Sequence, residues 1–277
     1  MKESVNSKYI IRDNRIFLDI CEEGCGSNCA YCYVQDKNKP QVLLSQKQIL
    51  LICNMVKDKV DTNTIISLCP NTEPFKSIES TQLILFIIRF FLPLGCYIQI
   101  STKEKIPEMF LKEISYIHES RIFINVSMPY IIGAERIEPK AAPVNDRLEN
   151  FKMIQSYPGV HCCLYIKPFQ VKDDEEQKLY IQYIKEYNIS VVCVGPQFNV
   201  KIELPCTSLH DRVIAKKLME EQSERINDFI FTLREYTSAR VYTSSICCIY
   251  SEIHKKCKME LYQYNEIMCK DCNLRRK

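Results

Sequence analysis

Six times along this chain a short apolar run of strand character is followed by a longer stretch with helical period. The strand-like runs are RIFLDI (15–20), TIISL (64–68), CYIQIS (96–101), RIFINVS (121–127), VHCCLYIKP (160–168) and SVVCVG (190–195). The helical stretches are 45–60, 79–92, 107–120, 144–156, 174–188 and much of 209–236. Ser45 is placed to cap the first of these, and Pro107 falls in the first turn of the third. Repeated strand–helix units call for parallel pairing through right-handed crossovers. The predicted fold is α/β: a partial (β/α)6 TIM-like barrel over 15–236. An N-terminal segment (1–14) precedes it, and a Cys-rich C-terminal extension (237–277) follows.

In such barrels the chemistry collects at the C-terminal ends of the strands. Those ends read CEEGCGSNCAYC, CPNTEPF, STK, SMPY, KPFQ and GPQF, rich in cysteine, charge and proline. The 277 residues and 46% hydrophobic content suffice for a sizeable core. A net charge of +3 is nearly neutral, so nothing in the composition demands DNA or RNA. The longest apolar stretch, 83–95, contains Arg89 and Pro93 and is too short to span a bilayer. The start, MKESVNSKYIIRDNR, lacks the apolar run of a secretory signal. The expectation is a cytoplasmic protein with no membrane role. In that reducing setting sixteen cysteines point to metal or redox chemistry rather than to disulfides.

Three of them, Cys25, Cys29 and Cys32, form C-x3-C-x2-C on the loop after the first strand. Three thiolates can ligate three irons of a 4Fe–4S cluster and leave the fourth open. A structural zinc site more often uses two C-x2-C pairs and closes all four positions. Cys21 is the alternative fourth ligand; it is expected to end the first strand before the loop turns.

This spacing, with Tyr31 before the third cysteine and βα units behind it, resembles the radical S-adenosylmethionine (radical SAM) superfamily. The resemblance spans roughly residues 15–200. It implies a 4Fe–4S cluster that chelates SAM. It also implies one-electron cleavage to a 5′-deoxyadenosyl radical, and hydrogen abstraction from a macromolecular substrate, a peptide or a nucleic acid. A ferredoxin or flavodoxin would supply the low-potential electron. The variant NTEPF, in place of the common Gly-Gly-Glu motif, resembles the spore photoproduct lyase branch. There Glu73 would accept from the SAM ammonium. Ser101 and Lys103, in ISTK, would meet the SAM carboxylate or ribose. Arg147, in RIEPKAAPVNDRLENF, is either a second carboxylate ligand or a solvated helix-face charge. Ser127 would contact the ribose, Tyr33 would lie where the adenine passes, and VGPQF (194–198) would form the adenine site. Cys69 has two readings. It is either a hydrogen-atom donor, as a cysteine in the lyase branch is, or a small buried residue at a strand end. Cys53, Cys96, Cys162, Cys163 and Cys193 are expected in the core.

A second set, Cys247, Cys248, Cys257, Cys269 and Cys272, falls within twenty-six residues of the tail. Four of these five could close around a second 4Fe–4S cluster or Zn²⁺, with one of Cys247 and Cys248 as ligand. Two readings compete with the general enzyme. One is lyase-like repair of a DNA lesion, and the other is a non-enzymatic zinc-binding interaction module. A plain electron-transfer protein would leave Glu73, Lys103 and Arg147 without a role.

Overall fold

The computed structural model describes residues 8–12, 14–32, 34, 37–117, 121–196 and 224–253. The chain divides into two compact units. The first runs up to Val126 and takes in Gly133–Cys162; the second takes Ser127–Ile132 and the chain from Cys163 onward.

In the first unit β1 (Tyr9–Arg12) and β2 (Arg15–Leu18) form an antiparallel hairpin. A separate ribbon pairs β3 (Cys21–Glu23) with β4 (Val42–Leu43). The sheet continues from β2 through β5 (Ile65–Leu68), β6 (Tyr97–Thr102) and β7 (Ile122–Ser127), all parallel. One register row crosses four strands: Phe17, Ser67, Gln99 and Phe123. The alternating positions Ile16, Leu18, Ile66, Leu68, Ile98, Ile100, Ile122 and Ile124 are almost wholly buried. They form the face that a helix layer covers in an α/β unit.

The helices start where their caps dictate. At α1 (Gln46–Val56), Ser45 Oγ accepts from Gln48 N at 3.3 Å, and Gln48 Oε1 accepts from Ser45 N at 2.8 Å. At α2 (Ile78–Phe91), Ser77 and Ser80 do the same at 3.1 and 3.0 Å. That helix is most of the long apolar stretch, and it stops before Pro93 and the left-handed Gly95. Next come α3 (Glu108–Ser115), the short α4 (Ala134–Ile137) and α5 (Val144–Gln155).

The chain passes between units along β8 (Val160–Ile166). In the second unit β8 pairs with β9 (Val191–Val194), and β9 with β10 (Arg240–Tyr242), both in parallel. Helix α6 (Asp174–Glu186) is capped by Asp173, which accepts from Glu176 N at 3.0 Å. Helices α7 (224–236) and α8 (Ser245–Glu252) complete the unit.

All six expected strands are present, and three further elements add to them among the described residues. β1 lies in what read as a plain leading segment. β10 and α8 lie in what read as a tail beyond the barrel, and they extend the α/β pattern to a seventh parallel strand. The third helix is also shorter than 107–120, and Pro107 is its cap rather than its first turn. Cys53, Cys96, Cys163 and Cys193 are buried as expected, while Cys162 is only half-buried. Among the described residues no helix is long and apolar enough to cross a membrane.

Candidate functional site

The loop that carries Cys25, Cys29 and Cys32 is tied at several points in the first unit. The β3–β4 ribbon closes its base. Gly24 sits at φ +77, where a Cβ would lie 2.0 Å from the Pro40 carbonyl oxygen, so no other residue fits. Asn28 takes a left-handed turn and donates from its N–H to Lys37 O at 2.9 Å. Cys32 N donates to Cys29 O at 3.1 Å, and Val34 N to Cys32 Sγ at 3.4 Å. Ala30 N reaches Ile137 O, at the end of α4, at 2.8 Å. Cys21 does not end the first strand. It opens the β3 ribbon with its side chain buried, and burial pushes its thiol up to about 12.

Around this loop two buried carboxylate clusters fix the neighbouring strand ends. In the first, Glu73 accepts from the Thr102 hydroxyl and, at 2.9 Å, from the Lys103 backbone N–H. Burial, then repulsion from Glu104, raises its carboxyl to about 7. Gln41 Nε2 donates to the Glu73 carbonyl at 2.7 Å. The preceding Asn71 and Thr72 donate to Asp19 at 3.0 and 2.6 Å. Asp19 is itself buried, and burial raises its carboxyl despite those two bonds. The NTEPF turn is thus held from β2 on one side and from β6 on the other. Asp19 has no role in the sequence reading; its one signal is an acid directly before the apolar Ile20 and Cys21 at a strand end.

In the second cluster Arg147, 1% exposed, pairs through Nη1 with Glu138 at 2.6 Å and donates through Nε to Ala142 O at 2.7 Å. Burial excludes the solvated reading of Arg147. Glu138 also accepts from the Tyr31 hydroxyl. Burial, then the Glu138 charge, pushes that phenol well up. Lys103 Nζ lies 5.7 Å from the Tyr31 ring centroid. Burial pulls its ammonium down, but the charges of Cys29, Glu138 and Glu73 outweigh that and raise it. Tyr31, Lys103, Arg147 and the cysteine loop are therefore brought together, and Glu73 joins them through the Lys103 backbone N–H.

Ser101 accepts from Asn125 Nδ2 at 2.9 Å, across β6 and β7. Ser127 ends β7 and is buried. Cys69 is buried with a left-handed φ of +56, and its N–H donates to Leu18 O at 2.9 Å. Burial raises its thiol well above the ordinary value. In the second unit Cys248 is buried against Cys163 and Cys193, whereas Cys247 is half-buried. Of VGPQF, Val194 ends β9 and Gly195 and Pro196 follow it, while Gln197, Phe198, Tyr33, Cys257, Cys269 and Cys272 lie outside the described residues.

Among the described residues no three Cys, His, Asp or Glu side chains are gathered closely enough to hold a metal ion. The donor chemistry of the loop nonetheless fits a cation. Cys29 is raised to about 11, first by burial and then by the charges of Glu138, Cys32 and Cys25, against the pull of Lys103. Cys25 is raised by burial too, and the backbone and hydroxyl of Ser27 oppose this. Thiols placed like this keep their protons when alone and ionise when a metal centre sits among them.

No protein-family profile matches the chain, and no curated protein matches it in sequence. Solved structures do match. Spore photoproduct lyase complexed with dinucleoside spore photoproduct superposes with a TM-score of 0.57 at 13% identity, covering 80% of this chain and 75% of the lyase. Streptococcus suis SuiB bound to precursor peptide SuiA gives 0.54 at 12%, covering 91% of this chain and 53% of SuiB. Native anSMEcpe with bound AdoMet gives 0.54 at 13%, covering 82% and 63%. At these identities the likeness speaks to fold alone: the chain has an α/β fold similar to that of spore photoproduct lyase, SuiB and anSMEcpe.

Proposed function

We propose that the chain is a radical SAM enzyme acting on a macromolecular substrate, a peptide or a nucleic acid. One observation carries the reading. The three-cysteine loop follows the first parallel strand and meets Lys103, from the end of β6, through Tyr31. Cys25, Cys29 and Cys32 would hold a 4Fe–4S cluster. When bound, that cluster and SAM supply the electron and the 5′-deoxyadenosyl radical that removes a hydrogen atom from the substrate.

The chain's own residues bind and orient. Lys103 is the cation for the SAM carboxylate, and its raised proton affinity keeps it charged. Glu73, with Thr102 and the Lys103 N–H on its oxygens, is the acceptor for the SAM ammonium. Ionised, it is the better acceptor, and an ammonium beside it would favour that form. Ser101 and Ser127 supply hydroxyls to the ribose, and Tyr31 is a cofactor contact beside Lys103. Arg147 acts through Glu138 and Tyr31 rather than directly. A ferredoxin or flavodoxin delivers the electron. Of the second cysteine set, the burial of Cys248 against Cys163 and Cys193 favours Cys247 as the ligand beside Cys257, Cys269 and Cys272. Iron–sulfur and zinc remain the two candidates for that centre.

Anaerobically purified protein reduced with dithionite should convert SAM to 5′-deoxyadenosine, and Cys32→Ala should not. A preparation with its cluster intact that returns SAM unchanged would overturn the reading. A lyase-like version is favoured by the left-handed backbone of Cys69, which a β-strand end does not require. In that version Cys69→Ala changes the product while SAM is still cleaved; an unchanged product removes it.

A further inference from the structure

Gln99 lies in the middle of β6 and is 2% exposed. Its Oε1 accepts from the Arg15 guanidinium and, at 3.1 Å, from the Ser67 hydroxyl. Arg15 Nε donates to Ser67 Oγ at 2.5 Å. A guanidinium has no acceptor, so this contact fixes which end of the amide is oxygen. The Nε2 end is buried and has no hydrogen-bond partner among the described residues. A dry amide N–H carries the full cost of its desolvation, so a native one needs a reason.

The surroundings supply one. Gln99 points away from the helix-covered face of Ile98 and Ile100, and it shares its register row with Phe17, Ser67 and Phe123. The Phe123 ring stacks on His161 at 4.7 Å and 11°. The row lies two residues, about 7 Å along the strand, below Ser101. This face therefore offers an unused donor beside a flat aromatic pair.

We infer that Gln99, Phe123 and His161 form a substrate-reading site for a peptide. A backbone carbonyl of the peptide accepts from Gln99 Nε2, and the adjoining side chain lies against the Phe123–His161 pair. The inference rests on the proposed enzymatic reading for the identity of the ligand as substrate. A nucleic acid is disfavoured because its phosphates need cations. Arg15 is engaged by Ser67, by Gln99 and by the Phe17 ring at 4.7 Å, and the whole chain carries only +3. A peptide asks for no such charge and offers a carbonyl at every residue.

The test uses anaerobic full-length holoprotein and two probes, N-acetylphenylalanine methylamide and thymidylyl-thymidine, read by saturation-transfer NMR. The variant is Gln99→Glu. Glutamate keeps the acceptor for Arg15 and Ser67 and deletes both donors, so a role confined to holding Arg15 survives it. The amide probe should bind the wild type, and Gln99→Glu should weaken it about tenfold or more. His161→Ala should weaken it as well. Equal affinity in Gln99→Glu, no binding to the wild type, or Gln99-dependent binding of the dinucleotide instead would each overturn the inference. Production of 5′-deoxyadenosine by the same wild-type batch is scored separately. A batch that cleaves SAM but ignores the peptide probe sinks only this site, and a batch that binds the probe but never cleaves SAM sinks only the enzymatic reading.

Discussion

Glu73 is a carboxyl group buried between Thr102 and Lys103, and its environment makes it titrate near neutrality. Its proton affinity rises from the ordinary 4.5 to about 7 on folding, so the folded chain holds the proton more tightly. The stability this contributes is fully present below about pH 4.5 and is lost as pH rises through about 7. The slope is at most about 1.4 kcal/mol per pH unit. Glu73→Gln should flatten the pH dependence of the melting temperature in that window, while weakening SAM binding in the loaded enzyme. Arg147 gives a second expectation at this scale. Arg147→Met leaves Glu138 buried and unpaired, and should cost about 3–5 kcal/mol in a denaturant titration. Adding Glu138→Leu should recover much of that loss, because the uncompensated charge goes with it. The sequence pointed to Glu73, Lys103 and Arg147 by residue type and place. It could not show that Arg147 is committed to Glu138, since an ion pair between positions nine residues apart depends on how the α4–α5 segment folds.

The cysteine loop shows what an element adds. Its spacing was readable, and its support was not. Gly24, the Asn28 turn, the β3–β4 ribbon and the Ala30–Ile137 contact hold the loop through backbone groups, which sequence pattern does not reveal. Gly24→Ala should destabilise the loop by about 1–3 kcal/mol from backbone strain alone, before the Pro40 clash is counted. Lower iron content after reconstitution, with the rest of the circular dichroism spectrum retained, would report it. The helix caps were better announced. Ser45→Ala removes the capping box of α1 and should cost about 1 kcal/mol in thermal unfolding. The strands were readable where they were apolar. β1, with Ile10 and Ile11 exposed, and the three-residue β10 lack the buried apolar run that marks the four-residue β5 and β9.

At the scale of the whole molecule, burial separates described cysteines that spacing does not. Cys247 and Cys248 are neighbours in sequence, yet α8 turns Cys248 into the core against Cys163 and Cys193. Metal analysis of the proposed second centre should therefore show that Cys247→Ser loses its metal. Cys248→Ala should keep the metal and lose about 1–2 kcal/mol of packing. Loss of metal from Cys248→Ala alone would reverse the assignment. The sequence by itself determined the βα alternation, the parallel strands and the three-cysteine loop after the first of them, because periodicity and spacing are local quantities. The tertiary structure decided the rest. It placed Asp19 under the NTEPF turn, buried Arg147 with Glu138 and Tyr31, sent Cys248 inward and left one face of the Gln99 amide unanswered. Each of these depends on which distant strands and helices come to lie side by side, and on how much water their packing leaves around a polar group.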